Sequence, residues 1–213
     1  MSAPPAGIVV LISGRGSNLE SILKAIQNNE LNAQVLAVVS NRGDAGGLEF
    51  ARAGGIPVEV IEDRQFPSRE AFDEKLIETI DSYKPKLVVL AGFMRILGEA
   101  FVRHYLGRMI NIHPALLPQF PGLHTHERAL ESGADKHGAT VHFVTPEVDS
   151  GPVIIQRSVP VLADDTVESL AARVLEQEHI IYPLAIRWFV EDRLTIQGNE
   201  VLLDGKKSSL QSP

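Results

Sequence analysis

The sequence predicts an α/β protein built on an open, twisted, mostly parallel sheet with helices on both faces. Three observations carry this. The runs 8–12, 35–39 and 87–91 are apolar at consecutive positions, as in strands buried on both faces of a parallel sheet. Amphipathic helical segments alternate with them, which is the βαβ pattern. Two neighbouring strand signals at 140–145 and 153–161, then a short hairpin, predict a mixed or antiparallel addition on the C-terminal side.

At 213 residues, 44% hydrophobic and 22% charged, the chain reads as one globular domain, with an ordered core over about 8–203 and frayed ends at 1–6 and 205–213. A formal charge of −7 argues against a broad nucleic-acid surface, so an anionic ligand must be met locally. The absence of cysteine excludes disulfides, thiolate metal sites and a cysteine nucleophile. No segment is long and apolar enough to span a bilayer, and the N-terminus lacks the basic and apolar regions of a signal peptide. The expectation is a cytoplasmic protein without membrane or nucleic-acid partners.

Residues 8–12 form the first strand. Ser13-Gly14-Arg15-Gly16-Ser17-Asn18 follows, and Leu19, Ile22, Leu23 and Ile26 then recur at helical spacing, so the unit is strand, glycine-rich turn, helix. Main-chain N–H groups of such a turn, with Ser17 and the helix dipole, suit a phosphate. A plain tight turn capped by Ser or Asn fits the same residues. Leu19 replaces the third glycine of a dinucleotide fingerprint, and no Gly-Lys-Ser/Thr completes a Walker loop. Strand 35–39, helix 44–53 closed by Gly54-Gly55, and strand 58–61 come next. Helix 68–83 carries an apolar stripe of Phe72, Leu76 and Ile80, with Ser68 as its cap. Arg69 sits in its first turn, where the helix dipole offers a cation nothing.

Strand 87–91 is the most hydrophobic and is expected at the centre. The apolar segment 93–97 after it has no helical face; it either lines a pocket for a flat ligand or plugs the core. Helix 99–105 leads to the stretch 109–122. There Asn111 and His113 flank Ile112, so both point to one side of a strand that Pro114 brings to an end. A hydrogen-bond donor beside an imidazole at a strand's carboxyl end is either a polar terminus or a site. Helix 123–132 ends at Gly133. Strands 140–145 and 153–161 flank a turn holding Asp149. Asp164-Asp165-Thr166 caps a long helix over 167–190, with a kink expected at Pro183 and a polar interruption at Gln177-Glu178-His179. Strands 194–196 and 200–203 form a hairpin. The histidines, including His104, His124, His126, His137 and His142, show no zinc-ligand spacing, so no metal is expected.

The segments 13–18, Leu90-Ala91-Gly92-Phe93-Met94-Arg95-Ile96-Leu97, Asn111-Ile112-His113-Pro114-Ala115-Leu116-Leu117-Pro118 and 177–183 occur together and in order. Over essentially 8–203 the chain resembles the phosphoribosylglycinamide formyltransferases, folate-dependent enzymes of purine synthesis, in their free-standing form. The motif at 111–118 alone marks the wider 10-formyltetrahydrofolate group. The loop at 13–18 and Pro121-Gly122-Leu123-His124-Thr125-His126 narrow it. The resemblance implies a Rossmann-like fold, small-molecule substrates, 10-formyltetrahydrofolate as co-substrate, and a monomer or homodimer. It implies Asn111, His113 and Asp149 as catalytic; Gly16, Ser17, Asn18 and Glu178 as ribonucleotide-binding; and Arg69, Met94, Arg95, Ile96, Leu97, Asn111, Thr145, Pro146, Glu147, Val148 and Asp149 as folate-binding. Pro146 departs from the pattern, where a less rigid residue is expected.

These roles make chemical sense. A substrate amine attacking a formyl carbon generates an oxyanion, which the Asn111 amide can meet. His113 can stabilise it as imidazolium and move the proton, with Asp149 orienting the ring and favouring its charged form. No side-chain nucleophile is needed. Two other classes fit less of the sequence: a hydrolase passing the formyl group of the same folate to water, which needs no phosphate loop, and a non-catalytic nucleotide-binding module.

Overall fold

Five consecutive residues without solvent exposure, 8–12, make β1 (Ala6–Ile12) a strand covered on both faces. The structure, a computed structural model, describes residues 4–207, so the expected fraying of 1–3 and 208–213 lies outside the described residues. After β1 the chain forms α1 (Ser17–Gln27), β2 (Ala33–Ser40), α2 (Leu48–Ala53) and β3 (Val58–Val60). A 3₁₀ turn (Asp63–Gln65), α3 (Arg69–Ser82), β4 (Leu87–Leu90), α4 (Glu99–His104) and β5 (Met109–His113) follow. β2 pairs in parallel with β1 and β3, and β1 takes β4 in parallel on its other side. The chain thus steps outward on one side of β1 and returns on the other. That makes the carboxyl ends of β1 and β4 a topological switch point, where α/β sheets bind ligands.

The chain divides into two compact units, one running to Ile110 and one starting at Asn111, so the division falls inside β5. The second unit continues with α5 (Thr125–Glu131), β6 (Lys136–Phe143), β7 (Val153–Pro160) and α6 (Val167–Val190), then β8 (Leu194–Gln197), β9 (Glu200–Leu203) and β10 (Lys206–Lys207). The strand order is β3-β2-β1-β4-β5-β6-β7, with β6 and β7 antiparallel, and β8, β9 and β10 form a separate antiparallel sheet. This is the Rossmann-like, mostly parallel sheet with an antiparallel C-terminal addition. α6 packs on β6 and β7 through Leu170, Val174, Ile181, Tyr182, Ala185 and Ile186, all fully buried. Each such large aliphatic side chain contributes about 1.5–3 kcal/mol. Thr166 and Ser169 close a reciprocal capping box at its start.

Several expected boundaries move, for local reasons. α2 begins at Leu48 rather than 44, because Gly47 is held by its N–H to the Gly14 carbonyl and cannot join a helix earlier. α5 begins at Thr125 rather than 123, since His124 is left-handed (φ 57°) and Leu123 stays exposed. β6 spans Lys136–Phe143 rather than 140–145: its early residues lack apolar alternation, and pairing with β7 extends the strand past them. Every residue of β6 from His137 to Phe143 is buried, so the strand is covered on both faces and Thr140, Val141, His142 and Phe143 do not alternate as expected; a register shift with β7 falls at Val141/His142. Ala6, Lys206 and Lys207, expected to fray, lie in strands.

Candidate active site

β5 ends with Asn111 half-buried and His113 buried, flanking Ile112 as the strand period requires. The two nitrogens of His113 have different company. Nε2 lies 2.9 Å from the Phe120 carbonyl oxygen, which can only accept, so Nε2 carries a proton and donates it. Nδ1 is therefore the ring position that can take up or release a proton. It faces Asp149 Oδ2 at 3.5 Å.

Asp149 sits in the turn between β6 and β7 with a left-handed backbone (φ 52°), a conformation Asp tolerates better than most residues. Its Oδ2 accepts the Gly122 N–H at 2.8 Å, and its side chain is only 11% exposed. The loop before it holds itself through Thr145 Oγ1 donating to the Glu147 carbonyl and Ser150 Oγ donating to the Val148 carbonyl. Pro146, Glu147 and Val148 are exposed around it.

His142 joins the set, a residue that sequence reasoning considered only as an improbable zinc ligand. Its Nδ1 donates to the Phe143 carbonyl at 2.9 Å, which leaves Nε2 as an acceptor for Asn111 Nδ2 at 3.3 Å. Burial pushes its pKa down, against the raising influence of the Phe143 carbonyl and Asp149. A neutral His142 thus fixes the Asn111 amide with its nitrogen known. The second amide hydrogen of Asn111 finds no protein acceptor among the described residues. His142 Nε2 lies 3.7 Å from Asp149 Oδ1, so Asn111, His113, His142 and Asp149 form one constellation.

The turn after His113 is pinned from beneath. Thr140 Oγ1 donates to the Ala115 carbonyl and accepts from Leu117 N–H and Gln156 Nε2, and Gln156 Nε2 also donates to the Leu117 carbonyl. Beside it, His137 Nε2 and His126 Nδ1 are 3.2 Å apart, and His137 packs edge-on to Phe120. Burial, with His126 and His113 adding to it, pushes the pKa of His137 down to about 4; burial also lowers that of His126. Glu178 is buried on α6, among Val174, Ile181 and Tyr182 in the sequence of that helix's buried face.

In the first unit, the glycine-rich loop at 13–18 enters α1 through Gly16, which is left-handed (φ 76°) and supplies no side-chain cap. Its first-turn N–H groups are therefore arranged as an anion cradle of the kind helix N-termini form. A Cβ on Gly16 would land on the Gly47 Cα, so the backbones meet where no side chain fits. The loop after β4 lies alongside: the Ser13 N–H donates to the Gly92 carbonyl at 3.1 Å, and the Met94 N–H donates to Ser13 Oγ at 2.8 Å. Met94 and Ile96 are 73% and 61% exposed, so this loop does not plug the core. Leu97 and Arg95 are half-buried, and Asp73 Oδ2 accepts the Gly98 N–H at 2.7 Å. Burial raises the pKa of Asp73, while the Gly98 N–H and the charge of Arg69 pull it back. Arg69 itself is exposed at the start of α3. Among the described residues no group of three or more His, Asp or Glu could hold a metal ion, and no helix is long and apolar enough to cross a membrane.

Comparisons with known proteins give the class to which this chain belongs. The formyl transferase family profile matches residues 6–186, and the chain belongs to that family. More particularly, it is 56% identical over 200 residues to the phosphoribosylglycinamide formyltransferase of Escherichia coli (strain K12), covering 94% of both chains. The solved phosphoribosylglycinamide formyltransferase of Coxiella burnetii is 53% identical with a TM-score of 0.92, covering 97% of each chain. A formyltetrahydrofolate deformylase from Pseudomonas syringae shares the fold at greater distance: 27% identity and a TM-score of 0.88, over 94% of this chain and 66% of that one.

Proposed function

We propose that the chain acts as a single formyltransferase domain that moves the formyl group of 10-formyltetrahydrofolate to the amine of 5′-phosphoribosylglycinamide, a step of purine synthesis. The observation that carries the chemistry is the divided protonation of His113: Nε2 is committed to a main-chain carbonyl, and Nδ1 faces Asp149. The Asn111 amide, oriented by His142, donates to the oxygen of the tetrahedral species formed when the amine adds to the formyl carbon. His113 takes up positive charge beside that oxygen as it accepts the proton lost by the amine, and passes the proton to N10 of the folate as the C–N10 bond breaks. Asp149 balances the charge. No side chain forms a bond to the formyl group.

The loop residues Gly16, Ser17 and Asn18, with Glu178, hold the ribonucleotide, its phosphate at the start of α1. The exposed apolar loop Met94–Leu97 in the first unit, with Arg69, and residues 145–149 in the second take the folate. The E. coli relative, itself named a phosphoribosylglycinamide formyltransferase, supports the ribonucleotide as the formyl acceptor; the expected setting is the cytoplasm. The deformylase reading would leave the anion cradle at 13–18 without a use. Absorbance of the folate, followed with and without glycinamide ribonucleotide, separates the two. Turnover that depends on the amine supports transfer. Equal turnover without it identifies a hydrolase.

A further inference from the structure

The polar contacts behind the two loops of the first unit close into a ring. Ser13 Oγ donates to Asn41 Oδ1 at 2.6 Å, and Asn41 Nδ2 donates to Asp63 Oδ1 at 3.3 Å. Asp63 Oδ2 pairs with Arg95 Nη1 at 3.1 Å. Arg95 follows Met94 in the chain, and the Met94 N–H returns to Ser13 Oγ at 2.8 Å. Ser13 and Asn41 are buried, Asp63 is 18% exposed, and the Arg95 guanidinium also lies over the Phe72 ring at 5.8 Å. Arg95 Nε is buried without an acceptor among the described residues, so Asp63 supplies the charge-assisted contact that holds this side chain.

We propose that Asp63 is a positioning residue for the loop that takes the folate. The loop at 92–98 has no helix or strand of its own, and it exposes Met94 and Ile96. A loop in that state loses conformational entropy on binding unless it is already held. The ring grips two adjacent residues from opposite directions, Met94 by its main-chain N–H and Arg95 by its side chain. Both grips converge on Asp63, one oxygen serving each arm. Asp63 lies on the 3₁₀ turn after β3, a segment not assigned any substrate contact, and it acts on the folate through the loop. The ring also starts from Ser13, at the head of the anion cradle. Breaking it at the Arg95 end leaves the Ser13–Asn41 bond in place, so the effect falls on one substrate.

This inference rests on the proposed folate role of the loop. The test is Asp63→Asn, which keeps the size of the side chain and an acceptor for Asn41 but removes the charge that holds Arg95. The KM for the formylfolate should rise about tenfold, with the KM for the ribonucleotide and kcat within about twofold, since a partly buried charge-assisted contact is worth roughly that factor. Amide exchange at Met94 should accelerate in the same variant, and Asp63→Glu should recover part of the lost folate affinity. A parallel rise in both KM values, or an unchanged folate KM while Met94 exchanges faster, overturns the proposal. Turnover by the unaltered enzyme is the separate control: its absence would count against the functional reading, while the exchange measurement would still report on the ring.

Discussion

Replacing Asp149 by Asn isolates the electrostatic part of the proposed mechanism. The change preserves side-chain size, suits the left-handed backbone at this position, and leaves an oxygen that can still accept the Gly122 N–H. What disappears is a negative charge 3.5 Å from His113 Nδ1. At an effective dielectric of about 20, that charge stabilises a cation at this distance by about 5 kcal/mol. Burying a carboxylate that is 11% exposed takes back part of this, leaving about 3–4 kcal/mol for the charge that develops on His113 in the transition state. Asp149→Asn should therefore lower kcat by roughly 10²–10³. The assay is steady-state formyl transfer at saturating levels of both substrates, with thermal unfolding to verify that the variant is folded. A folded Asp149→Asn enzyme within threefold of the unaltered kcat would refute the role given to this carboxylate.

Asn111→Ala removes the proposed oxyanion donor and should lower kcat by about 10²–10³, with substrate KM values changed only several-fold; a loss confined to KM would assign Asn111 to binding alone. Gly16→Ala forces a Cβ onto the Gly47 backbone at a left-handed position, so the ribonucleotide KM should rise more than about tenfold, measured by titrating that substrate at fixed folate. His137 gives a pH signature. Its folded pKa of about 4 lies below the ordinary value near 6.5, so its contribution is fully present above pH 6.5. As pH falls, the unfolded chain takes up a proton that the folded one refuses, and stability declines by up to about 3 kcal/mol by pH 4. Thermal unfolding from pH 7 to 4 should show this slope, and His137→Gln should flatten it; an identical slope in the variant would mean that other groups set it.

Sheet and helices were legible wherever local pattern and tertiary environment agree. The 8–12 run reads as a buried strand because it is one, and α6 occupies the predicted 167–190 because Thr166 caps it and its apolar positions keep helical spacing. Asn111 and His113 were legible as a pair because strand alternation places them together whatever surrounds them. The partners were not legible. His142 meets Asn111 through an irregular register between β6 and β7, and no local spacing encodes that pairing. The Phe120 carbonyl that sets the proton on His113 is main chain and has no sequence signal. The Ser13–Asn41–Asp63–Arg95 ring draws on four separate stretches, each an ordinary polar residue when seen alone. α5 starts two residues later than its helical pattern predicts because His124 adopts a left-handed conformation that the pattern does not reveal.

Because the acceptor for His113 Nε2 belongs to the backbone, side-chain exchange at position 120 does not by itself delete it. The tautomer is specified by the path of the chain, with Phe120 left-handed (φ 52°) to turn its carbonyl toward the ring. The constraint at this point of the molecule is therefore one of length, curvature and a left-handed backbone rather than of one particular side chain. A side chain at 120 can vary with the packing beside His137 and Arg128, whereas inserting or removing one residue between 114 and 122 would swing the carbonyl away and release the imidazole to choose its own proton. If His113 acts as proposed, the spacing of this turn matters to the reaction as much as the identity of the residues it carries.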